Sequence, residues 1–496
     1  MIFFVVFGFL TLLFTFTLLT QLRKPSAEKR RLPPGPKKLP FIGNLHQLGT
    51  LPHRSLQHLS RKHGPLMFLQ LGSIPTLIVS SADMAKEIFK NYDSVFSGRP
   101  LVHAANRLGY GSAVSFAPYG EYWREMRKIM ISELLSPKRV RSFEAVRFDE
   151  VKRMLEAVSM SPGPVNLSEL TLSLTNNVVC RVALGKREKG TGDSNKVYRM
   201  LKETQEMLGG FFVDDFYPHL GWLNKFSGLE SRLEKNFRDM DRFYDEVIKE
   251  HVDKSRETAG TEHEDVVDVL LQVQKDPNQP IAISDHQIKG VLVDIFVAGT
   301  DTGAATMIWI MSELIRNPKA MKKAQEEVRE IMEGKDMVEE IDLPKLLYLK
   351  LVVKEALRLH PPAPLLVPRE TTEACIIRGF QIPAKTRVLV NAKSIAMDPA
   401  CWENPNEFLP ERFLNSSVDY KGQHFEMLPF GVGRRSCPGV NFAMPLVELV
   451  LANLLLRFDW ELPVGLGIQD LNMEEANGIT MHKRDHLWLR ATPFHQ

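Results

Sequence analysis

The stretch from Ser284 to Arg316 constrains the fold of this chain more than any other. Ser284 and Gln287 stand at capping-box spacing, and helical character continues to Arg316, just before Asn317-Pro318, where a helix has to stop. More than 30 residues at ~1.5 Å each make a rod on the order of 45–50 Å long, enough to cross an entire domain. Residues 320–333 and 344–359 repeat apolar positions at i, i+3 and i+4 with charged faces, so they read as further helices. Short β-like runs stand at Leu66–Leu71, Thr76–Ser80 and Arg387–Val390, and Gly and Pro punctuate the loops. The expectation is a mostly α chain with small β-sheets.

A length of 496 residues leaves room for three domains, but past Ile42 there is no linker, repeat or low-complexity run. A single large domain over residues 41–496 is therefore expected. With 44% hydrophobic and 25% charged residues, the chain suits a globular core and is not disordered, collagen-like or polytopic. The net charge of +3 is concentrated, since residues 23–38 carry seven basic side chains against Glu28. The remainder is slightly acidic, which argues against nucleic acid as a partner. Four cysteines, none in a C-x-x-C pair, exclude a disulfide scaffold and point to a reducing compartment.

Ile2 to Leu22 is uncharged and holds six Phe. Such a run makes a helix of about 30 Å, the thickness of a hydrocarbon core. A cleaved secretory signal would show a basic start, an apolar stretch of about 7–15 residues and an A-x-A-like site. This run lacks all three, so residues 1–22 read as a retained transmembrane anchor. Residues 23–40, with Leu32-Pro33-Pro34-Gly35-Pro36, read as a basic and Pro-rich hinge. That segment is either a plain linker or a stiff element that sets how the body sits on the membrane. The basic flank keeps the body cytosolic.

Cys437 stands out chemically. It lies in Phe430-Gly431-Val432-Gly433-Arg434-Arg435-Ser436-Cys437-Pro438-Gly439, with an apolar helical stretch from about Val440. The glycines allow tight turns and close approach to a ligand, and Pro438 favours a helix start. A thiol at a helix N-terminus beside Arg434 and Arg435 is expected to be a thiolate, the form that binds metal. Cys180, Cys375 and Cys401 have no such context and read as inert thiols.

Phe430, Gly433, Arg435, Cys437 and Gly439 spell F-x-x-G-x-R-x-C-x-G, which resembles the haem-ligand signature of the cytochrome P-450 (haem-thiolate) superfamily. Ala298-Gly299-Thr300-Asp301-Thr302, Glu355-Ala356-Leu357-Arg358, Pro410-Glu411-Arg412-Phe413 and Trp123-Arg124-Glu125-Met126-Arg127 resemble four more of its motifs, in the same order. The hinge, the His360–Glu370 stretch and Phe458-Asp459-Trp460 are most similar to the plant microsomal enzymes of its specialised-metabolism clan.

The resemblance implies the cytochrome P-450 fold and haem b, with Cys437 on the iron and Phe430, Gly433, Arg435 and Gly439 shaping its cradle. It implies haem propionate contacts from Trp123 and Arg127, shared with Arg435, and with Arg369 and Arg99 as further candidates. Glu355, Arg358 and Arg412 become a buried structural network. Asp301 and Thr302 become a proton relay to bound oxygen. The alternative for Thr302 is a hydroxyl bonded back to Ala298 that merely bends the helix. Two departures stand out: Gly303 where Ser or Thr is common, and Pro445 inside the helix after Cys437, where a kink is expected.

The implied activity is monooxygenation in the endoplasmic reticulum membrane. Electrons come from an NADPH–cytochrome P-450 reductase, since the chain shows no flavin or nicotinamide fingerprint. Haem-thiolate isomerisation, dehydration and haem sensing are the rival activities. The acid–alcohol pair argues against the first two, and the complete set of distal and proximal motifs argues against sensing. Substrate contacts follow by resemblance at Phe116, Phe211, Asp294, Val297, Ala298, Leu366 and Ile479. These are mostly apolar, so a lipophilic small molecule is expected. Asp294 stands either as an anchor for an amine or hydroxyl or as an ordinary helix-surface acid. Terpenoids, alkaloids, phenolics and oximes all fit, with a terpenoid preferred for the shortage of fixed charge.

Overall fold

A computed structural model of the protein describes residues 31–187, 196–257 and 264–494. The expected anchor and the first part of the hinge lie outside the described residues.

The N-terminal elements are helix α1 (Pro52–His63) and strands β1 (Leu66–Leu71) and β2 (Ile74–Val79). Helices α2 (His103–Leu108), α3 (Glu121–Ile129), α4 (Leu167–Leu184), α5 (Lys196–Leu208) and α6 (Leu229–Glu257) follow. The central helix is α7 (Asp285–Arg316). After it come α8 (Pro318–Ile331), α9 (Leu347–Leu359), β3 (Arg369–Glu370), β4 (Arg387–Val390) and α10 (Val440–Arg457).

The alternation of Leu66–Leu71 and the β-branched run after it make an antiparallel hairpin, with Leu66 opposite Val79. Strand β4 joins β2 in parallel and β3 closes the sheet, in the order β1-β2-β4-β3. The second strand begins at Ile74, two residues before the expected start.

The Pro-rich segment is not a loose linker. Pro34 O accepts from Phe68 N–H at 2.9 Å, and the Asn44 amide bonds the carbonyl of Lys37 at 3.2 Å. Gly35 lies so close to β1 that a Cβ would sit 2.1 Å from Phe68 O. The chain therefore enters the body pinned along the sheet.

Helix α7 crosses the core as its sequence requires. The Ser284 N–H donates to Gln287 Oε1 at 2.7 Å, closing the first turn. Its apolar residues are almost all buried, packed chiefly on α4, with α9 and α10 alongside. Small residues permit the close approach: a Cβ on Gly299 would stand 3.1 Å from Val179 Cγ2, and one on Gly303 3.5 Å from Thr175 Cγ2. Helices α7 and α10 are long and apolar enough to cross a membrane, but most of each is buried inside the body. They are core helices. Pro445 lies in the second turn of α10, which runs on to Arg457.

Candidate active site

Midway along α7 the burial pattern breaks. Ala298 is exposed, and Ile295, Val297, Gly299 and Thr302 are partly so, although the residues on both sides are buried. Exposed small residues in the centre of a core helix mark a concave wall. Polar side chains gather at the same turn. Thr302 Oγ donates to Ala298 O at 2.8 Å, and Thr306 Oγ donates to Thr302 O at 2.8 Å. Thus the back-bonded arrangement considered for Thr302 is present. Asp301 pairs with His482 at 2.9 Å, while its Oδ2 and the hydroxyl of Thr300 are buried without a partner among the described residues. Buried polar atoms usually find partners, so these two sit where a further group or water belongs.

Asp294 is not a helix-surface acid. It is buried, Ser115 N–H donates to its Oδ2 at 3.2 Å, and the Ser115 hydroxyl donates to Oδ1. Burial pushes its carboxyl up to about 6, against the Ser115 hydrogen bonds. Its oxygens are taken by the loop that carries Phe116, which leaves an amine or hydroxyl of a ligand to compete with Ser115.

The Cys437 loop is built on two left-handed glycines, Gly431 (φ 70°) and Gly433 (φ 67°). A Cβ on Gly433 would lie 2.4 Å from Asp93 Oδ1. The loop closes through Cys437 N–H to Phe430 O at 2.8 Å, and Gly439 N–H donates to Cys437 Sγ at 3.3 Å. Phe430 packs edge-on to Tyr420.

The expected support of the sulfur by Arg434 and Arg435 is not what the fold provides. Arg434 turns to Asp93 at 3.0 Å. Arg435 donates to the carbonyls of Ser97, Val114 and Ala117 at 2.9, 3.2 and 2.6 Å. Burial pushes the Cys437 thiol up, opposed by the Gly439 N–H and by Arg127.

Beside this loop four guanidiniums converge. Arg127 Nη2 donates to Ser436 O at 2.5 Å, next to Cys437. Arg369 Nη2 donates to Val432 O at 2.6 Å and reaches Asp93 at 3.5 Å. Arg99 donates to Ser115 O, Val367 O and Pro368 O at 2.8, 2.7 and 2.8 Å. Burial, and then the charges of Arg435, Arg369 and Arg127, hold Arg99 well below its ordinary range. Burial, Arg369 and Arg127 bring Arg435 down to about 9. Four mutually repelling cations bonded mostly to neutral carbonyls call for anions, and the two carboxylates of haem b have that chemistry.

Trp123 packs beside this cluster. Its indole N–H donates to Val114 O at 3.1 Å, and its ring lies 4.2 Å under the Arg435 guanidinium. It is a platform for Arg435, with its donor already in use.

Glu355, Arg358 and Arg412 come together. Arg358 donates to both Glu355 oxygens at 2.8 Å, and Arg412 Nε to Oε1 at 2.9 Å. Arg358 also bonds the carbonyls of Ala396, Pro405 and Glu407, which ties α9 to the segment ahead of the Cys437 loop.

The wall residues divide. Phe116, Val297, Leu366 and Ile479 are partly buried, and Leu366 adopts φ 53°, a left-handed conformation unusual for Leu. Phe211 is 56% exposed and stacks on Phe216, so it does not join a buried wall. Its neighbour Phe212 is the buried ring and stacks on His103 of α2.

His482, Ser115 and Asp93 were not legible as site residues. Each meets its partner across a large sequence separation, and no local pattern announces it.

The Cytochrome P450 family model matches residues 33–490. The chain is 80% identical to Cytochrome P450 71A9 of Glycine max, over 100% of both chains. It is 55% identical to strychnine-11-hydroxylase of Strychnos nux-vomica, over 98% of this chain and 96% of that one. It is 46% identical to desmethyl-deoxy-podophyllotoxin synthase of Sinopodophyllum hexandrum, over 94% and 92%. The chain belongs to the cytochrome P450 family, in its plant specialised-metabolism clan, and is a monooxygenase that binds haem b through a cysteine thiolate.

Proposed function

We propose that Cys437 is the iron ligand, that Arg99, Arg127, Arg369 and Arg435 hold the haem propionates, and that Asp301 and Thr302 deliver protons. The observation that carries this reading is the four-arginine cluster, joined to the Cys437 loop by the Arg127–Ser436 hydrogen bond. When bound, the haem supplies the activation of O2 and the insertion of one oxygen atom, with the sulfur favouring O–O cleavage.

The chain's own residues do the rest. Ala298 and Gly299 keep the wall shallow enough to admit ligand. The Thr302 hydroxyl donates to Ala298 O and keeps lone pairs to accept from water. The Oδ2 of Asp301, buried and without a partner among the described residues, is the acceptor atom of the relay. Glu355, Arg358 and Arg412 act structurally. The substrate is a lipophilic specialised metabolite. Asp294, the acidic candidate of the wall, is engaged by Ser115, which favours a neutral molecule such as a terpenoid.

Electrons come from an NADPH–cytochrome P-450 reductase that docks on the Cys437 side through Lys and Arg. Residues 1–22 anchor the protein in the endoplasmic reticulum membrane as a single pass, with the catalytic domain cytosolic.

The test of the ligand is Cys437→Ser against Cys180→Ser, Cys375→Ser and Cys401→Ser. The first variant is expected to lose the ferrous–CO Soret band characteristic of thiolate ligation, and the other three to keep it. A normal band in Cys437→Ser refutes the assignment.

A further inference from the structure

The carboxylate of Asp301 is held from outside its own helix. His482 Nε2 lies 2.9 Å from Oδ1, whereas Oδ2 is buried and has no partner among the described residues. The segment that presents His482 is itself fixed at three points. Trp309 of α7 donates its indole N–H to Met481 O at 2.7 Å. Met481 N–H donates to Pro362 O at 2.8 Å, and Ala476 N–H donates to His482 O at 2.8 Å. The imidazole thus reaches Asp301 on a backbone anchored to the same helix, about two turns further on. Its side chain is 38% exposed against 11% for Asp301, so water reaches the imidazole more readily than the carboxylate.

Burial opposes a charged imidazole here, but the hydrogen bond and charge of Asp301 outweigh it and hold His482 above its ordinary range. The neighbouring charges are turned elsewhere. Lys483 donates to Asp485 O, Arg484 pairs with Glu474, and Glu313 pairs with His360, whose ring stacks on Trp309.

We propose that His482 is the positioning residue of the proton-delivery pair. By clamping Oδ1 it fixes the Asp301 carboxylate in one orientation and leaves Oδ2 as the unpaired acceptor. A carboxylate with both oxygens free would sample several rotamers and present that acceptor only part of the time. The clamp is a charge-assisted hydrogen bond while the imidazole is protonated and a weaker neutral one after it loses its proton. This inference rests on the reading of Asp301 and Thr302 as the proton-delivery pair.

The experiment uses the holoenzyme with its reductase, O2 and NADPH as the only reactants, and measures the ratio of water to peroxide formed. Asp301→Asn and His482→Phe are each expected to lower that ratio about tenfold, the low end for a positioned acid–base group. His482→Gln, which keeps an N–H at similar reach, is expected to recover most of it. The double variant Asp301→Asn/His482→Phe is expected to be no worse than Asp301→Asn alone.

A second readout does not depend on turnover. In the diamagnetic ferrous–CO holoenzyme carrying labelled histidine, the His482 ring is expected to titrate above its ordinary range and to move down in Asp301→Asn. A native ratio in His482→Phe together with a lowered ratio in Asp301→Asn overturns this inference and leaves the relay standing. A His482 midpoint that Asp301→Asn does not move overturns it as well. A native ratio in Asp301→Asn overturns both readings.

Discussion

Thr302 combines two roles in one hydroxyl. Its hydrogen is donated to Ala298 O, a carbonyl that also lies in the backbone ladder of α7. Its lone pairs stay open to a water. Thr302→Ala is therefore expected to fold and take up haem normally. If the residue guides protons, product formed per NADPH falls steeply and peroxide rises, since such groups contribute about 10²–10⁴-fold. If it only bends the helix, the change costs about 1 kcal/mol of stability and leaves that ratio unchanged. Product, NADPH and peroxide measured together separate the two. Asp301 and Thr302 were legible because polar residues interrupt an apolar helix. His482 was not, because its partnership exists only once the C-terminal segment folds back onto α7.

At the scale of elements, α7 is seated by small residues and by one distant loop. Gly290 faces the 109–113 turn, where a Cβ would lie 2.5 Å from Ser112 Oγ, 3.1 Å from Ala113 N and 3.2 Å from Gly109 O. Backbone on two sides cannot yield, so Gly290→Ala is expected to cost about 1–3 kcal/mol through overpacking. Denaturant unfolding of the holoenzyme measures it, and a native midpoint would contradict the packing.

The segment that carries His482 is held by Glu475, which meets His53 of α1 at 2.8 Å, Arg54 at 2.6 Å and Lys393 at 3.5 Å. Burial raises this carboxyl, but the His53 and Arg54 hydrogen bonds and the Lys393 charge overcome it and hold it far below the ordinary glutamate range. A depressed carboxylate stabilises the fold at pH values above its unfolded value of about 4.3. That contribution fades as pH falls below this value towards the folded one. Glu475→Gln removes the negative charge that Arg54 and Lys393 share. At neutral pH it is expected to lose about 3 kcal/mol, as when a buried pair loses one partner. The gap to the native protein narrows as pH drops below the carboxylate range. A gap that stays constant with pH rules out the ionic clamp.

At the scale of the whole molecule, a monooxygenase of this family needs a small-molecule substrate, O2 and a redox partner, and the orientation of the body decides which partners it meets. Asn166-Leu167-Ser168 and Asn415-Ser416-Ser417 carry the glycosylation pattern, and Asn415 is exposed. With the body cytosolic, both are expected to stay unmodified in native membranes. Mass analysis of the membrane protein that finds a glycan on either one reverses the topology.

The sequence by itself determined the long central helix, the Cys437 loop with its glycines, and the Glu355–Arg358 pair. Each depends on spacing within a few residues, which the backbone periods translate directly into geometry. Tertiary structure alone decided which way the charges face. Arg434 and Arg435 adjoin Cys437 in sequence yet turn to Asp93 and to backbone carbonyls, and Arg127, from α3, takes their place beside the sulfur. It also placed Asp294 against Ser115, Trp123 under Arg435, and His482 on Asp301. The physical reason is that polar and charged groups drawn into or against the body must find partners, and for these side chains the partners lie on other elements of the fold.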